Sequence, residues 1–291
     1  MSTEATIRHA EEVMGTVVVY LVDPGECSEG DLALAMGASV EELHRLDELF
    51  STWKANSPMS RFRRGELERS EVPREIPLVL EMCSEVKQIS RGWFDPWALD
   101  GGVDPTGLVK GWAIERATAL LAEAGVASAL VNGGGDVASY DSCGPGGQTG
   151  TAGSGVRMWR VGIQHPWAKD GLACVVELAA GSSVATSGRY ERGEHLVDPF
   201  AARGISRPPR RRVASTTVIG PSLAIADGLA TALSVAGEAL SVAEALEEGY
   251  ESYRIYEDGT EESTASFPFA PSQPGLVQPE PIQPGLVQPA L

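Results

Sequence analysis

Asp227 and Thr231, in the segment ADGLAT, stand four residues apart near the start of a stretch with helical periodicity. This spacing places a carboxylate and a hydroxyl on the same face of a helix. Hard oxygen ligands suit Mg²⁺, which keeps several waters and binds through one or two protein oxygens together with substrate phosphates. The alternative is structural: an aspartate placed favourably near a helix N-terminus, and a threonine that donates to a backbone carbonyl.

The stretch FDPWALDGGVDPTGLVKG, from Phe94 to Gly111, leads through glycine, proline and aspartate residues into a predicted helix that starts near Thr106. The first turn of a helix exposes unpaired amides and a partial positive charge, which favour a bound anion such as phosphate. Lys110 lies in that turn, where a cation is unfavourable unless a negative group lies beside it. The stretch therefore indicates an anionic ligand, unless Lys110 simply extends into water.

His195, in ERGEHLVDP, is a further candidate, because an unperturbed imidazole titrates near neutral pH and can act as a general base. The turn dipeptide Asp198 and Pro199 follows it, so an ordinary turn histidine is an equally good interpretation. The basic segment SRPPRRRV, at 206–213, predicts either a solvated loop or a docking or phosphate-steering patch.

Alternating strands and helices must position these residues. A capping box of Ser39 and Glu42 predicts the start of the first helix. Apolar periodicity predicts strands at 17–22, 158–164, 173–178 and 212–219, and helices at 78–89, 109–124 and 222–236. The run SALVN predicts a strand that turns at GGGD into another. We expect an α+β fold with mixed, mostly antiparallel sheets flanked by helices, and a ligand cleft between two halves of the chain.

Composition limits the function classes. The chain has 291 residues and a net charge of −17, which disfavours nucleic acids and anionic membrane surfaces as partners. Its four cysteines lie far apart, which indicates neither a zinc site nor a disulfide framework. We recognise no signal peptide, lipidation site or membrane segment in the sequence, so we expect a cytoplasmic protein.

Several short motifs occur in an order that resembles one known family. They are MGT (14–16), FSTW (50–53), SPMSRF (57–62), FDP (94–96), VDPTGLVKGWAIERA (103–117), LVNGGGDV (130–137), ATSG (185–188), HLVDP (195–199) and ADGLATAL (226–233). Over residues 12–237 the chain resembles the ApbE family of FAD:protein FMN transferases. The resemblance implies an enzyme that uses Mg²⁺ and FAD, and that transfers FMN to a threonine or serine hydroxyl of an acceptor protein with release of AMP.

The resemblance also implies roles for individual residues. Asp227 and Thr231 match the metal ligands, and Gly107 matches the position whose carbonyl completes that site. The positions that resemble FAD contacts are Met14, Trp53, Asp104, Lys110 and Val197. His195 matches the histidine of the family's H-x-x-D-P segment, and the proton of the acceptor hydroxyl would go to His195 or to a nearby carboxylate such as Asp104.

Four departures from the family pattern bear on function. The segment after FDP is short, so contacts to the flavin or adenine are rebuilt here, with Trp97 as a candidate. Trp53 replaces a usual tyrosine as a stacking face, and Arg63 replaces a usual asparagine. Many members are exported lipoproteins, whereas we recognise no export signal. Two alternative functions stay open: an FAD diphosphatase that gives FMN and AMP, and a flavin-binding protein without chemistry.

The C-terminal segment carries QPGLVQP twice, at 273–279 and 283–289. Proline-rich repeats of this kind favour an extended or disordered chain. We therefore predict an ApbE-like flavin transferase domain over residues 1–260 and a disordered proline-rich tail over residues 261–291.

Overall fold

The computed structural model describes residues 6–99, 101–142, 158–188, 197–208, 210–240 and 249–271. Its framework is an eight-stranded antiparallel sheet with strand order β1-β2-β3-β4-β7-β8-β9-β10, and β5 and β6 form a separate hairpin. The strands are β1 (Ile7–Val13), β2 (Thr16–Asp23), β3 (Ser128–Gly133), β4 (Asp136–Asp141), β5 (Trp159–His165), β6 (Ala168–Leu178), β7 (Ser183–Gly188), β8 (Val213–Gly220), β9 (Glu251–Tyr256) and β10 (Glu261–Ser263).

Helices cover one face of this sheet. Within the described ranges they are α1 (Glu29–Phe50), α2 (Pro58–Arg63), α3 (Glu75–Ile89), α4 (Thr106–Glu123), α5 (Pro199–Ala202) and α6 (Leu223–Ala236). Helix α4 packs on β3 and β4, α6 packs on β7 and β8, and the two helices pack against each other. The predicted α+β class is confirmed, and the junction of α4 and α6 joins the two halves of the chain.

The middle of the sheet is buried on both faces, which explains why all eight residues of β8 are buried. Val218 of β8 contributes to the core beneath the helices, and the next residue, Ile219, contributes to the core beneath the β5–β6 hairpin. Successive strand residues point to opposite faces of a sheet, so β8 serves both cores. Trp159 of β5 and Leu178 of β6 complete the second core.

The predicted start of the first helix at Ser39 is wrong. Helix α1 begins ten residues earlier, where Ser28 is the N-cap and its hydroxyl accepts from the Asp31 amide at 3.2 Å. Leu32 is buried and extends the apolar stripe of the helix toward that start. Ser39 is buried inside the helix, where its hydroxyl donates to the Ala117 carbonyl of α4 at 2.8 Å. The S-x-x-D pattern of Ser28 and Asp31, and not the capping box of Ser39 and Glu42, therefore marks the helix start.

The folded region continues past residue 260. Strand β10 pairs with β9, and Phe267 is buried in the second core. The domain boundary predicted at residue 260 therefore falls one residue before an ordered strand. Both QPGLVQP repeats lie outside the described residues, so their conformation stays a prediction.

Membrane insertion by a helix finds no support in the described part of the chain, where every helix is too short or too polar to cross a bilayer.

Candidate functional site

The predicted metal ligands lie at the junction of α4 and α6. Asp227 is only 5% exposed, and its Oδ2 accepts a hydrogen bond from the Gly111 amide at 3.2 Å. In a regular helix the amide of residue 111 also points at the carbonyl of Gly107, four residues earlier. The Asp227 carboxylate and the Gly107 carbonyl therefore face the same N–H group, which brings two oxygen atoms from distant parts of the chain together.

Thr231 lies one turn further along α6. A Cβ added to Gly107 would lie 3.7 Å from Thr231 Oγ1, an ordinary contact distance that shows how closely the two helices meet here, and 3.2 Å from the Phe94 ring. The Thr231 hydroxyl is 3.1 Å from the hydroxyl of Ser187, in the ATSG motif of β7. The structure thus brings Gly107, Asp227 and Thr231 together, and it adds Ser187 to the group.

Close helix packing at this junction depends on Gly111. A Cβ at that position would lie 2.6 Å from the Leu223 carbonyl oxygen and 3.1 Å from Asp227 Cβ. We expect Gly111→Ala to lower the free energy of unfolding by about 2 kcal/mol, because backbone must move apart, although alanine favours a helix by about 1 kcal/mol. Urea unfolding followed by circular dichroism measures this change.

Gly37, in α1, is the matched control. It is exposed, and nothing lies within 4 Å of the Cβ that alanine would add. Gly37→Ala is expected to raise the free energy of unfolding by about 0.5–1 kcal/mol through helix propensity alone. Equal effects of the two substitutions would show that α4 and α6 are not in close contact at Gly111.

Lys110 does not extend into water. Its ammonium pairs with Asp136, whose side chain is fully buried at the start of β4. The other carboxylate oxygen of Asp136 accepts from the Thr186 amide of β7 at 3.2 Å. The chain itself therefore supplies the negative group that a cation in the first turn of α4 requires. The role of Lys110 as an FAD contact stays a prediction, and its unfavourable helix position no longer argues for a ligand.

Asp104 is held at the entrance of α4. Its Oδ1 accepts from the Thr106 amide at 3.1 Å, and its Oδ2 pairs with Arg63 at 3.1 Å. A Cβ on Gly102 would lie 2.8 Å from the Arg63 carbonyl oxygen, so the glycine allows the loop to pass close to α2. Arg63, the departure from the family's asparagine, thus fixes the aspartate that the resemblance assigns to FAD binding and catalysis.

Met14 lies in a tight hairpin turn beside the GGGD turn. Met14 and Gly15 have φ angles of 55° and 70°, and Gly134 and Gly135 have φ angles of 63° and 94°. Two central residues with positive φ are typical of type I′ hairpins. A Cβ on Gly134 would lie 2.7 Å from Thr16 Oγ1, so the two turns are in contact. Met14 is therefore positioned at the end of the sheet where β4 begins with Asp136.

The predicted apolar contacts to FAD are accessible to a ligand. Trp53 is 95% exposed in the segment after α1, and Val197 is 44% exposed before α5. Trp97 is 41% exposed in a short 3₁₀ turn, where Asp95 Oδ1 accepts from its amide at 3.1 Å. Their roles as FAD contacts stay predictions. His195 lies outside the described residues, so its assignment also rests on the sequence.

Comparison with a family model decides which family this arrangement belongs to. The ApbE family model matches residues 14–101 and 98–253. The chain belongs to the ApbE family. The matched residues include both helices of the junction and the strands that carry Asp136 and Ser187, so these two residues lie within the ApbE part of the chain.

Curated relatives match parts of the chain. A Rhodobacter capsulatus protein named FAD:protein FMN transferase is 36% identical over 137 residues, which are 44% of this chain and 23% of that protein. A Klebsiella pneumoniae protein of the same name is 27% identical over 188 residues, 62% of this chain and 50% of that protein. The matches thus span half or less of the length of these relatives.

Solved structures of ApbE proteins share the fold. The flavin transferase ApbE from Vibrio cholerae has a TM-score of 0.70 and 22% identity, and the match covers 90% of this chain and 98% of that one. The ApbE protein from Thermotoga maritima gives the same TM-score, identity and coverage. At this identity the likeness establishes the α+β architecture alone.

The donor atoms at the junction fit the magnesium that the ApbE resemblance implies. Among the described residues, no group of three or more histidine, cysteine, aspartate or glutamate side chains is placed to hold a metal. The junction offers the Asp227 carboxylate, the Thr231 hydroxyl and the Gly107 carbonyl. Mg²⁺ prefers such hard oxygens, and it completes its shell with water and phosphate oxygens. This donor set suits Mg²⁺ better than Zn²⁺, whose structural sites use sulfur and nitrogen ligands.

Sequence reasoning missed three ApbE residues that hold the site. Asp136 ends the GGGD turn motif and Ser187 lies in the ATSG motif, and neither motif by itself indicates a role for the residue. Glu115 of α4 was not considered, although its Oε2 accepts from the Ser222 hydroxyl at 3.1 Å and the Ala224 amide at 3.2 Å at the N-terminus of α6. The sequence does contain a signal for Asp136, because it is a carboxylate at the first position of an apolar strand. A charge that is buried in this way needs a partner of opposite charge.

Glu115 is expected to make the stability of the folded chain depend on pH. Burial raises the pKa of its carboxyl above the ordinary value, although the Ala224 amide and the Ser222 hydroxyl act in the opposite direction. A raised pKa means that the folded state favours the protonated acid, so stability falls as pH rises from about 4.3 through the raised pKa. Glu115→Gln removes this titration. We expect the free energy of unfolding of the native chain to decrease relative to Glu115→Gln between pH 4 and pH 7.

Glu85→Gln is the control for this prediction. Glu85 is exposed on α3, so its loss changes the electrostatics of the junction little. Urea unfolding at several pH values compares the three proteins. A stability difference between the native chain and Glu115→Gln that stays constant with pH would contradict the assignment.

Proposed function

We propose that this chain is a magnesium-dependent FAD:protein FMN transferase. The observation that carries the proposal is the meeting of α4 and α6, where Gly111 bonds Asp227 at 3.2 Å and Gly107 lies against Thr231. Family membership and the names of the curated relatives support the same activity. The substrate would be FAD, and the acceptor would be a protein with an exposed threonine or serine.

Asp227, Thr231 and the Gly107 carbonyl would hold the Mg²⁺. When bound, Mg²⁺ supplies positive charge that neutralises the FAD diphosphate and stabilises the leaving AMP. The chain's own residues hold these ligands in place: Gly111 fixes the carboxylate through its amide, and Ser187 bonds the Thr231 hydroxyl. Preorganised ligands need no rearrangement when substrate arrives.

The reaction replaces the phosphoanhydride linkage of FAD with a phosphoester linkage to the acceptor. The acceptor oxygen forms a bond to the phosphorus of the FMN half, the bond from that phosphorus to the AMP oxygen breaks, and the acceptor hydroxyl loses its proton. Asp104 already accepts from Thr106 and pairs with Arg63. Because both carboxylate oxygens of Asp104 already have partners, His195 is favoured as the proton acceptor. Asp104 would instead position the start of α4. A histidine base predicts a rate that rises with pH through about 6.5.

FAD would lie along the edge that the site residues share. Lys110 and Asp136 lie beside the metal ligands, and the Met14 turn borders the start of β4. Trp53 and Trp97 would stack on the rings of the dinucleotide, and Val197 would pack against them, because all three side chains expose apolar surface. The expected cytoplasmic location rests on the sequence alone.

The direct test incubates the purified chain with FAD, MgCl₂ and a peptide that contains one threonine. We expect the peptide to gain the mass of FMN minus water, and AMP to appear in equal amount. EDTA and a threonine-to-valine peptide serve as controls that should abolish labelling. Release of AMP without labelled peptide would support the diphosphatase, and FAD binding without AMP release would support a flavin-binding protein without chemistry.

A further inference from the structure

The buried carboxylate of Asp95 connects three separate segments of the chain. Its Oδ1 accepts from the Trp97 amide at 3.1 Å, in the 3₁₀ turn Pro96–Ala98. Its Oδ2 lies 3.0 Å from the Lys87 ammonium, in the last turn of α3, and also pairs with Arg203 at the end of α5. The Asp95 side chain has no exposed surface. One carboxylate therefore fixes the 3₁₀ turn, α3 and α5 relative to one another.

Stability alone does not account for this arrangement. The side chains of Lys87 and Arg203 are 36% and 39% exposed, so both cations can turn to water when the carboxylate is neutralised. Replacing a buried ion pair by neutral groups of similar shape is often neutral for stability, and the best-attested use of such a pair is to fix one arrangement of the chain. Burial lowers the pKa of Lys87, and the nearby charge of Arg203 lowers it further. Asp95 thus holds together two cations that repel each other.

The turn that Asp95 fixes carries Trp97, a predicted contact to the rings of FAD. The Lys87 ammonium lies 5.3 Å from the centroid of the Trp97 ring, which is within the range of a cation–π contact. Asp95 therefore acts on Trp97 in two ways, directly through the backbone amide and indirectly through Lys87 at the ring. The ring stays partly exposed, so it is oriented and still accessible to a ligand.

The second partner of Asp95 belongs to α5. Arg203 follows the last residue of α5, and Val197, another predicted FAD contact, lies two residues before the helix begins. Phe200 of α5 packs edge-on against Trp93, with 4.7 Å between the ring centroids, and α5 also lies against the 3₁₀ turn. The position of Val197 relative to the 3₁₀ turn therefore depends on the pair between Asp95 and Arg203.

The same 3₁₀ turn is tied to the entrance of α4. The Pro96 carbonyl accepts a hydrogen bond from the Asp104 amide at 3.0 Å. Gly107, whose carbonyl would bind the metal, follows Asp104 by three residues. The turn therefore links a residue proposed to contact the rings of FAD with the helix that carries a proposed metal ligand.

We propose that Asp95 is a positioning residue of the FAD site, which holds Trp97 and Val197 at the spacing that the rings of the dinucleotide require. The proposal rests on the proposed function for the identity of the ligand. Asp95 is buried and would act through Trp97, Lys87 and Arg203. Contacts to the rings are the same before and during transfer, so their loss should weaken FAD binding and leave the chemical step largely intact.

Asp95→Asn tests this role in the transfer assay. Asparagine keeps the shape and an oxygen for the Trp97 amide, and it removes the charge that binds both cations. We expect KM for FAD to rise about tenfold, while kcat changes by less than about twofold. Titration of FAD without an acceptor, followed by flavin fluorescence, should show the same loss of affinity.

Glu81→Gln is the matched control. Glu81 lies on α3, as Lys87 does, and its carboxylate pairs with Arg69 at 2.9 Å in an exposed ion pair. Its neutralisation should leave KM and kcat unchanged, because exposed ion pairs contribute little.

The tryptophans report the positioning without FAD or turnover. With fluorotryptophan incorporated, fluorine NMR gives a resonance for each of the six tryptophans, and single substitutions by phenylalanine assign them. Trp97 reports the 3₁₀ turn, and Trp93 reports the contact with α5. Trp159, in the second core, is an internal control whose resonance should not move.

The three partners predict different patterns of shifts. Asp95→Asn should shift the resonances of both Trp97 and Trp93. Lys87→Met should shift only the resonance of Trp97, and Arg203→Met should shift only that of Trp93. Because Lys87 and Arg203 are partly exposed, these two variants keep the test decisive if Asp95→Asn does not fold.

Unchanged resonances of Trp97 and Trp93 would overturn the proposal, as would a loss of activity that appears in kcat instead of KM. A lower thermal midpoint of Asp95→Asn with a native KM for FAD would also overturn it, by showing that Asp95 only stabilises the fold. A native chain that binds no FAD would contradict the proposed function and FAD as the ligand, whereas the shifts would still establish that Asp95 couples the 3₁₀ turn to α5.

Discussion

Asp227→Asn is expected to lower the rate of FMN transfer by about a thousandfold, which corresponds to about 4 kcal/mol of transition-state stabilisation. Asparagine keeps an oxygen that accepts from the Gly111 amide, whereas it removes the charge that holds Mg²⁺. The fold should therefore survive, and the thermal midpoint should change little. Initial rates at saturating FAD, measured over a range of MgCl₂ concentrations, test this expectation.

Asp170→Asn is the matched control for this substitution. Asp170 is exposed on β6, in the hairpin that covers the second core. Its neutralisation should leave both the rate and the dependence on MgCl₂ unchanged. A transfer rate of Asp227→Asn within a few-fold of the native rate would remove the metal from the proposed mechanism.

Lys110→Met is expected to lower the free energy of unfolding by about 3 kcal/mol. The substitution removes the ammonium that faces the fully buried carboxylate of Asp136. An uncompensated charge in the interior is costly because the protein solvates it poorly. Urea unfolding of the chain without FAD measures this loss separately from any effect on cofactor binding.

The double variant Lys110→Met with Asp136→Asn tests the origin of the loss. Asparagine still accepts from the Thr186 amide and carries no charge, so the double variant should recover part of the stability. Lys169→Met, on exposed β6, controls for loss of a surface cation. A loss in Lys110→Met no greater than in Lys169→Met would show that the pair with Asp136 contributes little.

Local patterns in the sequence predicted much of the fold. Apolar periodicity located α3, α4 and α6, and the turn glycines of GGGD located the hairpin of β3 and β4. These signals depend on residues that are close in the sequence, and the tertiary contacts stabilise the same helices and hairpin that the signals predict. The start of α1 was misplaced because Ser39 and Glu42 match a capping box by chance, while Ser39 serves a contact with α4.

The candidate site was predictable only in part. The spacing of Asp227 and Thr231 on one helix face can be read from the sequence, because it is a local property. Their approach to Gly107 cannot, because more than a hundred positions separate them. The pairs Lys110–Asp136 and Arg63–Asp104 have the same long-range origin. Lys110 and Asp104, which the sequence suggests as ligand contacts, therefore also form ion pairs within the folded chain.

The most direct test of the central claim is a crystal structure of the chain with FAD and Mn²⁺, whose anomalous scattering locates the metal. We expect one metal ion bound by the Asp227 carboxylate and the Thr231 hydroxyl, beside the diphosphate of FAD. FAD bound away from the junction of α4 and α6, with no metal beside Asp227, would contradict the proposed mechanism.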